Sequence, residues 1–285
     1  MESGILPVPG AAIYYEVRGS GPVLLLICGG VYDADGYAGL AGQLADRYTV
    51  VTYDRRGNSR SAAGVPREPQ RIEVHADDAY RVLHAVGVAA GGPAYVFGNS
   101  SGAEIGLELA ARHPELVRTL IAHEPPIFDL LPDAGRLFDL MGQVEEVFAA
   151  QGPGPAMQVF GAGLAMRGGE PEDERVPGGA QAPPEPDPAM LAMMARMEQN
   201  MAFFIGYEVP PFGRYTADLA ALRGSGVRIV PAVGAESVDE PPHRSALALA
   251  ERLGVKAVTF PGDHGGFGSH VPEFARLLDE VLSGT

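Results

Sequence analysis

Apolar positions follow two rhythms along the chain, and their alternation is informative. Ala11 to Val17 alternates apolar and polar residues and reads as a strand. Val23 to Ile27 is an unbroken apolar run, the pattern of a strand covered on both faces. A helical period follows over Tyr37 to Arg47, then a strand over Tyr48 to Tyr53, then a helix over Ile72 to Val86. Ala94 to Phe97 is a short apolar strand, Ala103 to Arg112 a helix of small residues, and Val117 to Ala122 another strand. Strands separated by helices imply right-handed crossovers and a largely parallel sheet.

The rhythm breaks after Glu124. Pro125 and Pro126 interrupt the chain, and from there to about Phe212 only helical patterns occur. Inside this region 168–188 is rich in Pro, Gly and Glu, too polar and broken to pack. The alternation then resumes with a strand over Val227 to Val233, a helix over His243 to Leu253, a strand over Ala257 to Phe260 and a helix over Pro272 to Leu282. The expected organisation is an α/β core built from 1–125 and 213–285, interrupted by a helical lid at 126–212 that carries a mobile loop at 168–188.

Composition narrows the function. The chain has 285 residues, 46% of them hydrophobic, enough for one domain of this kind with a lid. A net charge of −15 argues against nucleic acid and anionic membranes as partners. The single cysteine, Cys28, allows no internal disulfide and fits a reducing compartment. No export signal is read at the N-terminus, and no apolar run reaches the ~20 residues of a spanning helix. A cytoplasmic protein is expected, compatible with a homodimer.

The candidate chemistry starts at Gly98-Asn99-Ser100-Ser101-Gly102, directly after the Ala94–Phe97 strand and before a helix. In that setting G-x-S-x-G is a nucleophile elbow, its glycines allowing a sharp strand-to-helix turn that exposes the serine. Ser100 is the expected nucleophile. Ser101 is expected to supply its backbone N–H to an oxyanion, with its side chain pointing elsewhere. A serine hydroxyl needs a base. Of seven histidines, His264 is preferred, because it follows a strand in a glycine-rich loop. His270 is a weaker rival. His75 and His84 fall on a helix expected at the surface. His113 and His243 read as structural or solvated, and His123 would point away from Glu124 if its strand continued.

Four segments together carry a family resemblance: Cys28-Gly29-Gly30 after an early strand, Asp54-Arg55-Arg56-Gly57-Asn58-Ser59, the elbow, and Pro261-Gly262-Asp263-His264, with the serine first and the histidine last. In these the chain resembles the α/β-hydrolase superfamily over nearly its whole length. The resemblance implies a mostly parallel central sheet flanked by helices, with an inserted helical lid. It implies a second oxyanion donor from the loop after Val23–Ile27, with Gly30 first and Val31 next, and makes Asp54 to Ser59 a scaffold turn. It also implies an acid after the Val227–Val233 strand, where Gly234 and Pro241 fit the pattern but the acid slot holds Ser237. Glu124, after the strand that follows the elbow helix, resembles the relocated acid of haloalkane dehalogenases and some lactone hydrolases. Glu236 and Asp239 remain alternatives.

No metal is expected, since His75 and Asp77 do not share a helical face and no second cluster completes a site. No phosphate-cradling loop occurs, so no cofactor is expected. Met190, Met193, Met194, Met197 and Met201 recur at helical spacing and suggest either an adaptable binding face or ordinary core packing. Val31, Phe128, Leu131, Met194 and Met197 are the expected pocket residues. The reading is a serine hydrolase of a medium-sized hydrophobic ester or lactone. Carbon–carbon hydrolysis, perhydrolysis and cofactor-free cyclase or lyase chemistry remain open on the same scaffold. A catalytically silent ligand-binding protein is the alternative from another class.

Overall fold

The computed structural model describes residues 1–164 and 188–284. Eight strands form one sheet in the order β1-β2-β4-β3-β5-β6-β7-β8. They are β1 (Glu2–Val8), β2 (Ala11–Gly19), β3 (Val23–Ile27), β4 (Thr49–Tyr53), β5 (Ala94–Asn99), β6 (Val117–His123), β7 (Arg228–Gly234) and β8 (Val258–Phe260). β2 runs antiparallel to both β1 and β4, and every later pairing is parallel. β1 has no counterpart in the sequence reading. Gly4 and Pro7 interrupt its alternation, and such residues are tolerated because β1 pairs on one side only.

The continuous apolar runs are explained by burial on both faces. In β3, Leu25 and Ile27 join one core cluster while Leu24 and Leu26 join the other. In β5, Val96 and Phe97 divide in the same way. Helices α1 (Ala38–Leu44), α2 (Ile72–Ala85), α3 (Val88–Gly91) and α4 (Ser101–Arg112) lie in the first half of the chain. Between β6 and β7 stand α5 (Ala134–Gln151), α6 (Pro153–Leu164), α7 (Pro188–Phe203) and α8 (Val209–Phe212), with no strand among the described residues of that stretch. The second half ends with α9 (Leu219–Gly224), α10 (Pro241–Leu253), α11 (Gly266–Ser269) and α12 (Val271–Ser283). The loop expected at 168–188 falls outside the described residues except for Pro188, which opens α7.

The helices inserted between β6 and β7 have a core of their own, with Phe128, Leu137, Met141, Val144 and Ile205 buried together. Polar clamps hold this insert on the sheet. Glu208 accepts from Arg55 at 2.8 Å and from Asn58 at 2.9 Å, all three side chains buried. Asn200 donates to the Val31 carbonyl at 2.9 Å, and Arg196 pairs with Asp33 at 2.6 Å. The Asp54–Ser59 turn therefore supports the insert as well as the core. His75, expected on a solvent face, is buried instead. α8 covers that side of α2, and the imidazole packs edge-on against Phe212 with ring centroids 5.3 Å apart.

Candidate active site

The elbow follows from close packing. Ser100 adopts φ 54° and ψ −128°, a conformation that costs a non-glycine residue energy and persists only where its surroundings dictate it. A Cβ on Gly98 would lie 2.3 Å from the Gly102 carbonyl oxygen, and one on Gly102 would lie 2.1 Å from that of Ile27. Only glycine fits at either place, so strand and helix close around the serine. The Ser100 N–H donates to the His123 carbonyl at 2.9 Å, which ties the elbow to the end of β6.

Three neighbouring strand ends supply the rest. The Glu124 backbone, at φ 49°, turns directly after β6 and donates its N–H to Ala232 of β7 at 2.9 Å. Its Oε2 lies 2.6 Å from Nδ1 of His264, which comes from the loop after β8. Its Oε1 accepts from the Gly234 N–H at 2.8 Å and from the Ser237 hydroxyl, with His243 Nδ1 at 3.4 Å. Burial alone would raise this carboxyl, but the His264, His123 and Ser237 interactions outweigh it and hold Glu124 at about 2. With Nδ1 donated to a carboxylate, Nε2 of His264 is free to accept a proton. Asn99 fixes the loop by donating to the His264 carbonyl at 3.0 Å, and its Nδ2 is also 3.0 Å from His123 Nδ1. Burial lowers His123 to about 4, so it stays neutral beneath the site.

The candidate acids separate clearly. Glu236 and Asp239 are exposed, while Glu124 contacts the histidine. Sequence reasoning missed two contributors. Ser237 fills the vacant acid slot as a hydrogen-bond donor to Glu124. His243, expected to be structural or solvated, faces the same carboxylate because α10 starts beside the end of β7. Their pattern signal was the empty slot itself, since a buried carboxylate needs donors from somewhere.

Ser100 and His264 line one cavity of about 740 Å³, part of it open to solvent. Gly29, Gly30 and Ser101 form its edge near the elbow. The Ser101 hydroxyl was expected to point away. It instead accepts from the Gly30 N–H at 3.2 Å, occupying the expected second oxyanion donor. Phe128 lines the cavity, joined by Met141, Phe160, Leu164 and Phe204 from the insert. Val31, Leu131, Met194 and Met197 do not. The Val31 carbonyl is tied to Asn200, and Leu131 is sunk in the insert's core. The α7 face that meets the core carries Arg196, Asn200 and Phe203, which leaves Met194 more than half exposed and Met197 on the flank. Another cavity residue escaped sequence reasoning. Glu104, one helical turn beyond Ser100, is fully buried, and neither carboxyl oxygen has a hydrogen-bond partner. Cys28, beside Gly29 and Gly30, is buried, and burial pushes its thiol up to about 12.

A hydrolase of Bacillus subtilis, uncharacterized YraK, is 38% identical over 286 residues, spanning 99% of this chain and 96% of that one. Residues 22–161 match the alpha/beta hydrolase fold family. The chain belongs to the α/β-hydrolase family. Solved structures agree on the fold. A thermophilic esterase from Thermogutta terrifontis superposes with a TM-score of 0.74 at 17% identity, covering 100% of this chain and 99% of that one. The enol-lactonase of Burkholderia xenovorans LB400 gives 0.70 at 17%, covering 98% and 100%. In this α/β hydrolase no described helix is long and apolar enough to cross a membrane.

Proposed function

We propose that this α/β hydrolase is a serine hydrolase that cleaves a medium-sized, largely hydrophobic ester or lactone through an acyl-enzyme. The observation that carries the reading is the 2.6 Å contact between Glu124 and His264 Nδ1, in a cavity that Ser100 also lines. In this scheme His264 Nε2 takes the Ser100 proton as Oγ attacks the carbonyl carbon, and Glu124 stabilises the imidazolium that forms. The Ser101 N–H at the start of α4 meets the developing oxyanion. The Gly30 N–H joins it once the Ser101 hydroxyl rotates aside, each donor contributing on the order of 3 kcal/mol to the barrier. His264 returns its proton to the leaving oxygen, then activates a water that releases the acyl group.

Several features support the substrate class. The cavity wall from the insert is Phe128, Met141, Phe160, Leu164 and Phe204, which suits an apolar acyl or lactone chain. The esterase and lactonase of similar fold are consistent with carboxylic-ester chemistry. The idea of a silent binding protein rested on the empty acid slot, and Ser237 there bonds to Glu124 instead. In this scheme the helical insert acts as the lid, and no cofactor takes part.

The test is hydrolysis of p-nitrophenyl alkanoates of graded length. Wild type should cleave them, with a maximum at intermediate chain length, and Ser100→Ala should abolish turnover and labelling by a fluorophosphonate. Undiminished turnover in Ser100→Ala would overturn the mechanism.

A further inference from the structure

Glu104 has no part in the chemistry above, yet it sits in the same cavity. It projects from the first turn of α4, four residues beyond Ser100. Its side chain is fully buried, the residue lines the cavity, and both carboxyl oxygens lack hydrogen-bond partners among the described residues. Such a group is rare, because an unpaired buried polar group costs about 1–3 kcal/mol. Among the described residues nothing cationic is paired with it. The charged group that bears on it is Asp129, another carboxylate, so its own ionisation is disfavoured twice, by burial and by that neighbour. The insert side of the cavity is apolar. Glu104 is therefore a neutral acid with one O–H donor and one C=O acceptor, set in the wall of that cavity.

We propose that Glu104 is a specificity-determining residue that recognises a primary amide group on the substrate, carried away from the scissile carbonyl. The proposal rests on the serine-hydrolase reading of the same cavity. A primary carboxamide holds one N–H syn to its C=O and so satisfies both orphaned oxygens of a neutral carboxyl at once, whereas a trans secondary amide points its N–H and C=O in opposite directions. A hydroxyl engages one of them well and the other poorly. An ammonium group requires Glu104 to ionise in an apolar wall, with two desolvated charges to accommodate. A plain alkyl chain leaves the carboxyl unpaired. Sites built to hydrogen-bond a substrate discriminate most strongly against analogues that lack the group.

The experiment uses three p-nitrophenyl esters of equal acyl length: one ending in a primary carboxamide, one all-methylene and one with a terminal ammonium. Each is measured with wild type, Glu104→Gln and Glu104→Leu. Wild type should prefer the amide ester, and Glu104→Leu should reduce the amide-to-alkyl ratio of kcat/KM about tenfold or more, mostly through KM. Glu104→Gln keeps a donor and an acceptor and should retain the preference. An unchanged ratio in Glu104→Leu would overturn the proposal, as would a wild-type preference for the ammonium ester or a Gln variant as indifferent as Leu. Thermal unfolding of each variant separates a lost contact from a lost fold. The serine-hydrolase reading fails separately, if wild type or Ser100→Ala behaves wrongly on the all-methylene ester. In that event, equilibrium binding of the corresponding primary alkanamide to wild type and Glu104→Leu still tests the recognition.

Discussion

Two glutamates near the elbow are both buried, and the protein treats them in opposite ways. At the end of β6, Glu124 receives His264, Ser237 and the Gly234 N–H, and it is held at about 2. On α4, Glu104 receives no hydrogen bond and is pushed well above the usual carboxylate range, by burial first and by Asp129 second. Both side chains show no exposure, so burial does not account for the difference. What differs is the supply of donors. Three parallel strands deliver their C-terminal ends and loops to the Glu124 corner, whereas the α4 wall meets the apolar insert. The first arrangement makes a permanent charge to orient an imidazole. The second keeps a neutral acid in reserve for a ligand.

The sharpest way to break this contrast is Glu124→Gln. The amide still fits, but its NH₂ donates to His264 Nδ1 and moves the ring proton to Nε2, where it cannot accept from Ser100. Turnover of a p-nitrophenyl ester should fall by about 10³–10⁴. A variant within tenfold of wild type would mean that Glu124 is only a strand-end support. The same carboxylate also predicts an acid limb in stability. Its pKa is lowered on folding from 4.5 to about 2, so its contribution is present above 4.5 and is lost as pH falls towards 2. The shift amounts to no more than about 3 kcal/mol, and urea unfolding between pH 3 and 6 should lose that slope in Glu124→Gln.

Glu208 sharpens the comparison as a third buried carboxylate, paired but remote from the chemistry. It bonds Arg55 and Asn58 and joins the insert to the core. Glu208→Gln leaves the Arg55 guanidinium buried without its counter-charge, and should cost about 3–5 kcal/mol of stability. Chemical denaturation measures it. A loss under 1 kcal/mol would show that water or the Gly30 carbonyl, which Arg55 also contacts, takes over the pairing.

The elbow and the core strands were legible because each rests on a local signal. Gly98, Ser100 and Gly102 encode a backbone conformation, and β3, β5 and β6 encode burial on both faces. The partnership of Glu124 with His264 was legible only as one option among three. It depends on contact across three strand ends, 140 residues apart in the chain. The pocket was the least legible part. The methionine stripe of α7 has the right period, yet Arg196 and Asn200 reach polar partners on the core and turn that stripe outward. Periodicity reports that a helix has faces, and the partner surface decides which face is used. Glu104 was invisible for a related reason. One of two acids in a helix of mostly small residues, with Glu108 four positions on, it reads as solvent-facing until the insert is laid over it.

Ser237→Ala tests whether the Glu124 corner depends on each of its donors. The carboxylate keeps His264 and the Gly234 N–H but loses a charge-assisted hydroxyl bond, worth about 1.5–3 kcal/mol. Stability should drop by about that amount and kcat by about tenfold. Glu124 should also titrate higher, so the acid limb of kcat/KM should move up in pH. An unmoved limb with full activity would show that Ser237 merely fills space in the vacant acid slot.

The smallest effect concerns Glu104, and there the sign of the pH dependence matters more than the size. Its pKa is raised on folding, so between the ordinary value of 4.5 and the folded value the native state binds more protons than the unfolded chain. Wild-type stability from this group therefore falls as pH rises above 4.5, the reverse of the Glu124 limb. Glu104→Gln cannot ionise and should remove that slope, which is at most about 1.4 kcal/mol per pH unit. At pH 5 the variant should be no more stable than wild type, because the amide brings an extra unpaired N–H into the same wall. The two curves should converge or cross as pH rises to 8, in urea titrations at fixed ionic strength. Parallel curves across pH 5 to 8 would mean that Glu104 is charged and paired in solution. The contrast between the two glutamates would then collapse to a difference in partners rather than in charge.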